Sequence, residues 1–336
     1  MAALALGAFA LCATGRAALA DCSRPGNAAE VFFITDREPV SDAQLFSGER
    51  GLTKTRDAIV SRGIIWNAAE RKTLRSCASE KSFLSALKSG FSSQRGRQVL
   101  LYVHGYYTTF RQAVGDALTL QRTLRFPGPV IVYSWPSKVT SRLTYVNDEA
   151  NAGWSAVHFR KLLATLETTF PGMPISFAAH SLGARFAADA LDFIHHGRCV
   201  TCVGRTALFA PDVDTDTLRT GLAAAGRCNG RPLASSNVSA PVTLYVSNKD
   251  VALRQSQRIH GHQRAGQAAS EMLLCKGVDT IDVSYYKSSD KLGHAYQSDT
   301  RIAGDVRDAF AGVSPSSPQR KLVKASREAG TYYELR

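Results

Sequence analysis

Ser181 stands in Ala179-His180-Ser181-Leu182-Gly183, where an apolar run meets a helical pattern. This is a G-x-S-x-G variant with alanine in place of the first glycine. Small residues on both sides permit a sharp strand-to-helix turn that presents the serine hydroxyl. Serine becomes an effective nucleophile only when a base takes its proton. The expected base is His294, in Gly293-His294-Ala295-Tyr296, and the expected carboxylate behind it is Asp250, in Ser247-Asn248-Lys249-Asp250. A carboxylate there would hold the imidazole tautomer and stabilise the imidazolium that forms. Asp212, in Pro211-Asp212-Val213-Asp214, competes for that role, and either acid could instead cap the next helix. Upstream, His104-Gly105-Tyr106 offers the Tyr106 N–H to a developing oxyanion, and Leu182 offers a second N–H at a helix start. Together these residues point to acyl transfer through a covalent intermediate, with no cofactor and no metal.

Rival chemistries are weaker. Ser85-Ala86-Leu87-Lys88 matches the S-x-x-K nucleophile motif, but Ser289-Asp290-Lys291 lacks the asparagine of S-D-N and no K-T-G occurs. Cys199-Val200-Thr201-Cys202 has neither a second C-x-x-C nor an H-x-x-x-H pair to complete a zinc site. The other histidines sit in turn motifs (His104, His180), at a helix end (His195, His196) or in an expected surface loop (His260, His262).

The elements that must position these groups alternate between short β-branched or aromatic runs and longer helical patterns, which is the mark of an α/β fold with a mainly parallel sheet. Strands are expected at 31–35, 63–66, 98–103, 130–133, 174–179, 205–209, 242–246 and 280–285. Helices are expected at 80–91, 110–124, 149–170, 182–194 and 300–310, with another after each of the strands at 205–209 and 242–246. Each candidate site residue falls just beyond a strand's carboxyl end, where open α/β sheets bind ligands. The gap from Ser181 to Asp250 suits about two βα units and that from Asp250 to His294 about one, at roughly 30 residues each.

With 44% hydrophobic and 21% charged residues among 336, a chain dominated by disorder is excluded. The net charge of +13 is spread without aromatic interleaving, so no nucleic-acid partner is expected, while peripheral contact with anionic envelope surfaces stays open. The apolar run from Leu4 to Ala13, followed by Ala18-Leu19-Ala20, reads as a signal peptide over residues 1–20, which places the mature chain in the periplasm or outside the cell. Losing Cys12 with that segment leaves Cys22, Cys77, Cys199, Cys202, Cys228 and Cys275, an even set suited to disulfides whose pairing stays open. The folded domain is expected to span residues 21–312, with 313–336 as a basic, flexible tail.

Several separated stretches then come together: Val31-Phe32-Phe33-Ile34-Thr35-Asp36-Arg37, Val103-His104-Gly105-Tyr106, Tyr133-Ser134-Trp135-Pro136, the Ser181 turn, Ala210-Pro211-Asp212-Val213-Asp214, Ser247-Asn248-Lys249-Asp250 and Gly293-His294. In this order the chain resembles, over residues 30–312, a bacterial α/β-hydrolase family of unknown function in the esterase/lipase superfamily. The resemblance implies that fold, with helices on both faces of a central sheet, and puts the nucleophile and histidine on Ser181 and His294; it implies no substrate. The expected activity is hydrolysis of a small-molecule or lipid ester. Amide, thioester or acyl-transfer chemistry on the same triad, and a noncatalytic module holding anionic envelope polymers, remain alternatives.

Overall fold

The computed structural model describes residues 30–41, 45–58, 60–68, 71–91, 98–139, 145–195, 204–228, 242–286, 288 and 290–336. The expected signal peptide, Cys22, Cys199 and Cys202 lie outside them.

Eight strands make the parallel part of the sheet: β1 (Glu30–Thr35), β6 (Val99–Val103), β7 (Val130–Ser134), β8 (Ile175–His180), β9 (Thr206–Phe209), β10 (Val242–Val246), β11 (Val278–Asp282) and β13 (Gly330–Leu335). With β4 (Ser61–Ala68) and β5 (Arg71–Ser76) antiparallel beyond β1, and β12 (Leu322–Arg327) antiparallel beyond β13, the sheet has eleven strands in the order β12-β13-β11-β10-β9-β8-β6-β7-β1-β4-β5. A small second sheet pairs β2 (Arg37–Pro39) with β3 (Phe46–Arg50). Helices α1 (Glu80–Phe91), α3 (Tyr145–Thr169), α4 (Ala184–His195) and α5 (Thr215–Ala224) cover one face, and α2 (Phe110–Leu124) and α7 (Thr300–Phe310) the other. α6 (Val251–His260) follows β10.

The apolar runs are continuous because both faces are covered. In β6, Leu101 and Val103 join the core beside Phe159 and Phe186, while Leu100 and Tyr102 join the core beside Phe110 and Ile302. Capping fixes the helix starts. Thr109 and Gln112 form a reciprocal capping box on α2, and Asp299 accepts from Arg301 and Ile302 at the start of α7.

Residues 313–336 are not a flexible tail. A 3-10 turn at Pro318–Arg320 leads into β12 and β13, and β13 pairs in parallel with β11 through Ile281↔Tyr333 and Asp282↔Glu334. The anchor is Arg320, 3% exposed, whose Nε and Nη2 donate to the two carboxylate oxygens of Asp305 at 2.7 and 2.8 Å. Tyr245 Oη donates to the same carboxylate at 2.8 Å. The ordered sheet therefore runs past the expected boundary at 312. Two smaller differences concern α3, which begins at Tyr145 rather than at 149, and the strand before the histidine loop, which is Val278–Asp282 rather than 280–285. A disulfide, Cys228–Cys275, ties the stretch after α5 to the approach of β11, and Cys77 is also disulfide-bonded. Among the described residues no helix is long and apolar enough to cross a membrane.

Candidate active site

β6, β8, β9, β10 and β11 are consecutive parallel neighbours apart from the chain order of β6, so the loops after them open on one edge of the sheet. Ser181 follows β8 directly. Its φ is +53°, a left-handed conformation that only a tight surrounding structure imposes on a residue with a Cβ. A 3-10 turn at Ser181–Gly183 then feeds α4, so the helix proper begins after the turn. Gly183 is required here: an added Cβ would lie 2.4 Å from the His104 carbonyl oxygen and 2.6 Å from that of Val103. The alanine at 179 is accommodated because it is a strand residue in register with Val103 on one side and Leu208 on the other. The serine turn needs a small residue there, without a glycine conformation.

The loop after β6 presses against this turn. A Cβ on Gly105 would come within 2.9 Å of both the His180 Nδ1 and the Ser181 Cβ, so only glycine lets the loop approach so closely. Tyr106 follows at once, its ring 5.3 Å edge-on from Tyr145, and Tyr107 beyond it has a φ of +57°. Leu182 is fully buried within the 3-10 turn.

Asp250 and His294 are joined directly. The Asp250 Oδ2 lies 2.7 Å from His294 Nδ1, while its Oδ1 accepts the Leu253 N–H at 2.9 Å and so caps α6. One carboxylate therefore serves both readings of the sequence, cap and imidazole partner. Burial alone would lower the His294 pKa; the Asp250 carboxylate and its hydrogen bond, with weaker contributions from Asp212 and Asp290, override it and hold the imidazole above its ordinary value. The histidine backbone is fixed as well. Asp290 Oδ1 accepts the N–H groups of His294 and Ala295 at 2.9 and 3.1 Å, and the His294 carbonyl lies 3.2 Å from His180 Nε2. The His180 and His294 rings are 4.8 Å apart, which brings the histidine alongside the residue preceding Ser181, although no hydrogen bond links the serine hydroxyl to the imidazole. Such bonds are often long before substrate binds. Burial, then the neighbouring His294, pushes His180 down to about 3, so it is neutral.

Asp212 is held elsewhere. Its carboxylate receives Arg264 Nε at 2.7 Å, Ser256 Oγ at 2.6 Å and Tyr145 Oη at 2.5 Å. Burial would raise its pKa, and Arg264, the two hydroxyls and the Arg264 hydrogen bond bring it below the usual value. Sequence reasoning missed Asp290, four residues before the histidine in a glycine-containing loop, where a short acid commonly accepts nearby backbone N–H groups. It also assigned no role to Arg37, which stands in one of the stretches that carry the family resemblance, and missed Tyr145, for which the sequence holds no clear signal.

A family model described as an alpha/beta hydrolase of unknown function (DUF900) matches residues 79–303. Among curated proteins none matches the chain. Solved structures similar to it include an esterase from Rhizomucor miehei at 14% identity, with 77% of this chain and 82% of that one covered and a TM-score of 0.35. A hydrolase from Thermoplasma acidophilum aligns at 10% identity over 74% and 93%, with a TM-score of 0.36. A cold-adapted esterase from an Arctic intertidal metagenomic library aligns at 12% identity over 76% and 90%, with a TM-score of 0.36.

Proposed function

We propose that this chain, which belongs to the alpha/beta hydrolase family of unknown function (DUF900), is a serine hydrolase that cleaves esters through Ser181, His294 and Asp250. The observation that carries the reading is the 2.7 Å contact of Asp250 with His294 Nδ1 on the sheet edge where Ser181 adopts its left-handed turn.

The roles follow from the atoms. With Nδ1–H held by Asp250, the other ring nitrogen, Nε2, is the one left to take the Ser181 proton as the hydroxyl oxygen attacks the ester carbonyl. The carbonyl oxygen then carries negative charge, which the N–H groups of Tyr106 and Leu182 receive. Collapse of the tetrahedral adduct expels the alcohol, which takes the proton from His294. Water, deprotonated by the same histidine, attacks the acyl-serine; as that second adduct collapses, His294 returns the proton to Ser181 Oγ and the acid is released. Nothing in this sequence of steps calls for a cofactor or metal. The disulfides suit an oxidising compartment, which supports a chain that works outside the cytoplasm.

The test is labelling with a fluorophosphonate together with turnover of short-chain p-nitrophenyl esters. The native protein should label and turn over, while Ser181→Ala and His294→Ala should do neither. A panel of amides and thioesters run alongside identifies the preferred acyl bond. A folded native protein that neither labels nor turns over any of them, yet binds anionic polymers in a salt-dependent way, would replace the hydrolase reading with a binding module.

A further inference from the structure

The stretches Thr35-Asp36-Arg37 and Tyr133-Ser134-Trp135-Pro136 contain no group that the proposed reaction uses, and neither does His104. All three converge behind the loop that carries Tyr106. Arg37 is 1% exposed and His104 fully buried. The guanidinium donates from Nε to Ser134 Oγ at 2.9 Å, from Nη1 to the carbonyls of Ser47 and Ser137 at 3.1 and 3.3 Å, and from Nη2 to the Thr108 carbonyl at 2.6 Å. Burial pushes its pKa down to about 9, so it remains charged at neutral pH. The same Nη2 lies 3.3 Å from His104 Nε2.

An arginine has N–H groups and no acceptor, so its contact with His104 favours Nε2 as the accepting nitrogen; Ser134 Oγ, which accepts from Arg37 Nε, lies 3.4 Å from the same atom with its own proton to offer, and the Trp135 carbonyl is a weaker partner of the ring than the Gly105 carbonyl. Burial, then the Arg37 charge, holds the His104 pKa well below its usual value, and a neutral imidazole carries one proton. That proton is therefore on Nδ1, which lies 2.8 Å from the Gly105 carbonyl oxygen and donates to it. The ring cannot rotate away: it stacks on Trp135 at 5.0 Å with 9° between planes, and Trp135 Nε1 donates to the His104 carbonyl at 2.9 Å. The Gly105 carbonyl and the Tyr106 N–H belong to one planar trans peptide and point in opposite directions. Holding the first therefore aims the second.

We propose that Arg37 and His104 are positioning residues for the oxyanion hole: Arg37 selects the Nδ1–H tautomer of His104, which grips the Gly105 carbonyl and sets the direction of the Tyr106 N–H. The far side of the loop is fixed too. Asp148 accepts the Tyr107 N–H, Ser137 Oγ donates to Asp148 at 2.6 Å, and the Thr108 N–H donates to Ser137 Oγ at 3.3 Å. The loop is thus clamped at His104, Gly105, Tyr107 and Thr108, and Tyr106 lies between the clamps. The inference rests on the hydrolase reading for its catalytic consequence, though not for the loop geometry.

His104→Asn and His104→Leu separate this role from packing, since the asparagine amide nitrogen can stand near the Nδ1 position and leucine cannot donate. In His104→Leu, kcat is expected to fall about 10- to 100-fold with KM within about threefold, and affinity for a trifluoromethyl ketone, which forms a tetrahedral adduct, to fall by the same factor as kcat/KM. His104→Asn should recover about tenfold in kcat over His104→Leu. Arg37→Met should behave like His104→Leu, and Arg37→Lys, which keeps the charge and loses the fork, should fall between. Amide hydrogen exchange at residues 106 and 107 should rise in the Leu and Met variants, also when measured in the Ser181→Ala protein. Unchanged kcat in folded His104→Leu, asparagine no better than leucine, or unchanged exchange would each overturn the proposal. A wild type without activity would sink the hydrolase reading, while the exchange measurement would still decide whether His104 and Arg37 hold the loop.

Discussion

Asp212 and Asp250 occupy equivalent places, each just past the carboxyl end of a parallel strand and each almost fully buried. Their surroundings differ in what is left over. Around Asp212, an arginine and two hydroxyls occupy the carboxylate, the cap of α5 has passed to Asp214, and no imidazole is bonded to it. Around Asp250, one oxygen caps α6 and the other meets His294. An acid at a strand end becomes a histidine partner only where neighbouring donors leave it an oxygen to spare. Position along the sheet alone does not select it.

Exchanging the acids for amides one at a time tests this contrast most severely. Asp250→Asn keeps an oxygen for the Leu253 N–H but favours the wrong imidazole tautomer, so kcat should fall about 10³- to 10⁴-fold, while Asp212→Asn should change it by less than about tenfold. A comparable loss in both variants would erase the distinction. The pH profile sharpens it. The histidine must be neutral to act as base and its pKa is raised, so kcat/KM should fall as pH drops through a value above 6.5, and that limb should move lower in Asp250→Asn and by much less in Asp212→Asn.

Stability should show the opposite ranking. Asp212→Asn leaves Arg264 buried without its carboxylate, which costs about 3–5 kcal/mol in denaturant unfolding, and adding Arg264→Met should restore part of it. Equal stability of the single variant and the native protein would mean that Asp212 is no structural pillar. The smallest effect is expected at Asp116, whose carboxyl has no cation comparable to Arg264. Burial raises it to about 6, the Tyr102 hydrogen bond only moderating the shift. The native state therefore holds this proton more tightly than the unfolded chain, and the associated stability is present below about pH 3.8 and lost as pH rises through about 6. Asp116→Asn should accordingly gain about 1–3 kcal/mol over the native protein at pH 8 and nothing at pH 3.5, as read from unfolding curves at the two values.

The buried parallel strands and several helices were legible because both signals are strong. β10 and the helices α1, α2 and α7 fall on the expected residues, β6 and β7 differ by a residue at one end, and β8 is shifted by one residue. Ser181, Asp250 and His294 were legible as candidates since each follows such a strand. β12 and β13 were hidden because an outer hairpin buries little. Leu322–Arg327 and Gly330–Leu335 carry lysine, arginine and glutamate among half-exposed residues, and the ion pair that seats Arg320 joins residues whose partnership local spacing does not reveal. Arg37 was illegible for a similar reason. A charge surrounded by carbonyls from three distant segments looks in sequence like any solvated arginine.

The C-terminal hairpin sets the order in which the sheet can be completed. β11 leads into the loop of His294, yet its outer neighbour is β13, which follows every other strand of the sheet in the chain. Until that hairpin docks, a folding chain carries β11 with one bare row of amide and carbonyl groups, a template for pairing with another molecule. Completion of the sheet beside the histidine loop thus waits on β12 and β13, and a chaperone that shields that edge would act at the step where misassembly competes most directly with formation of the candidate site.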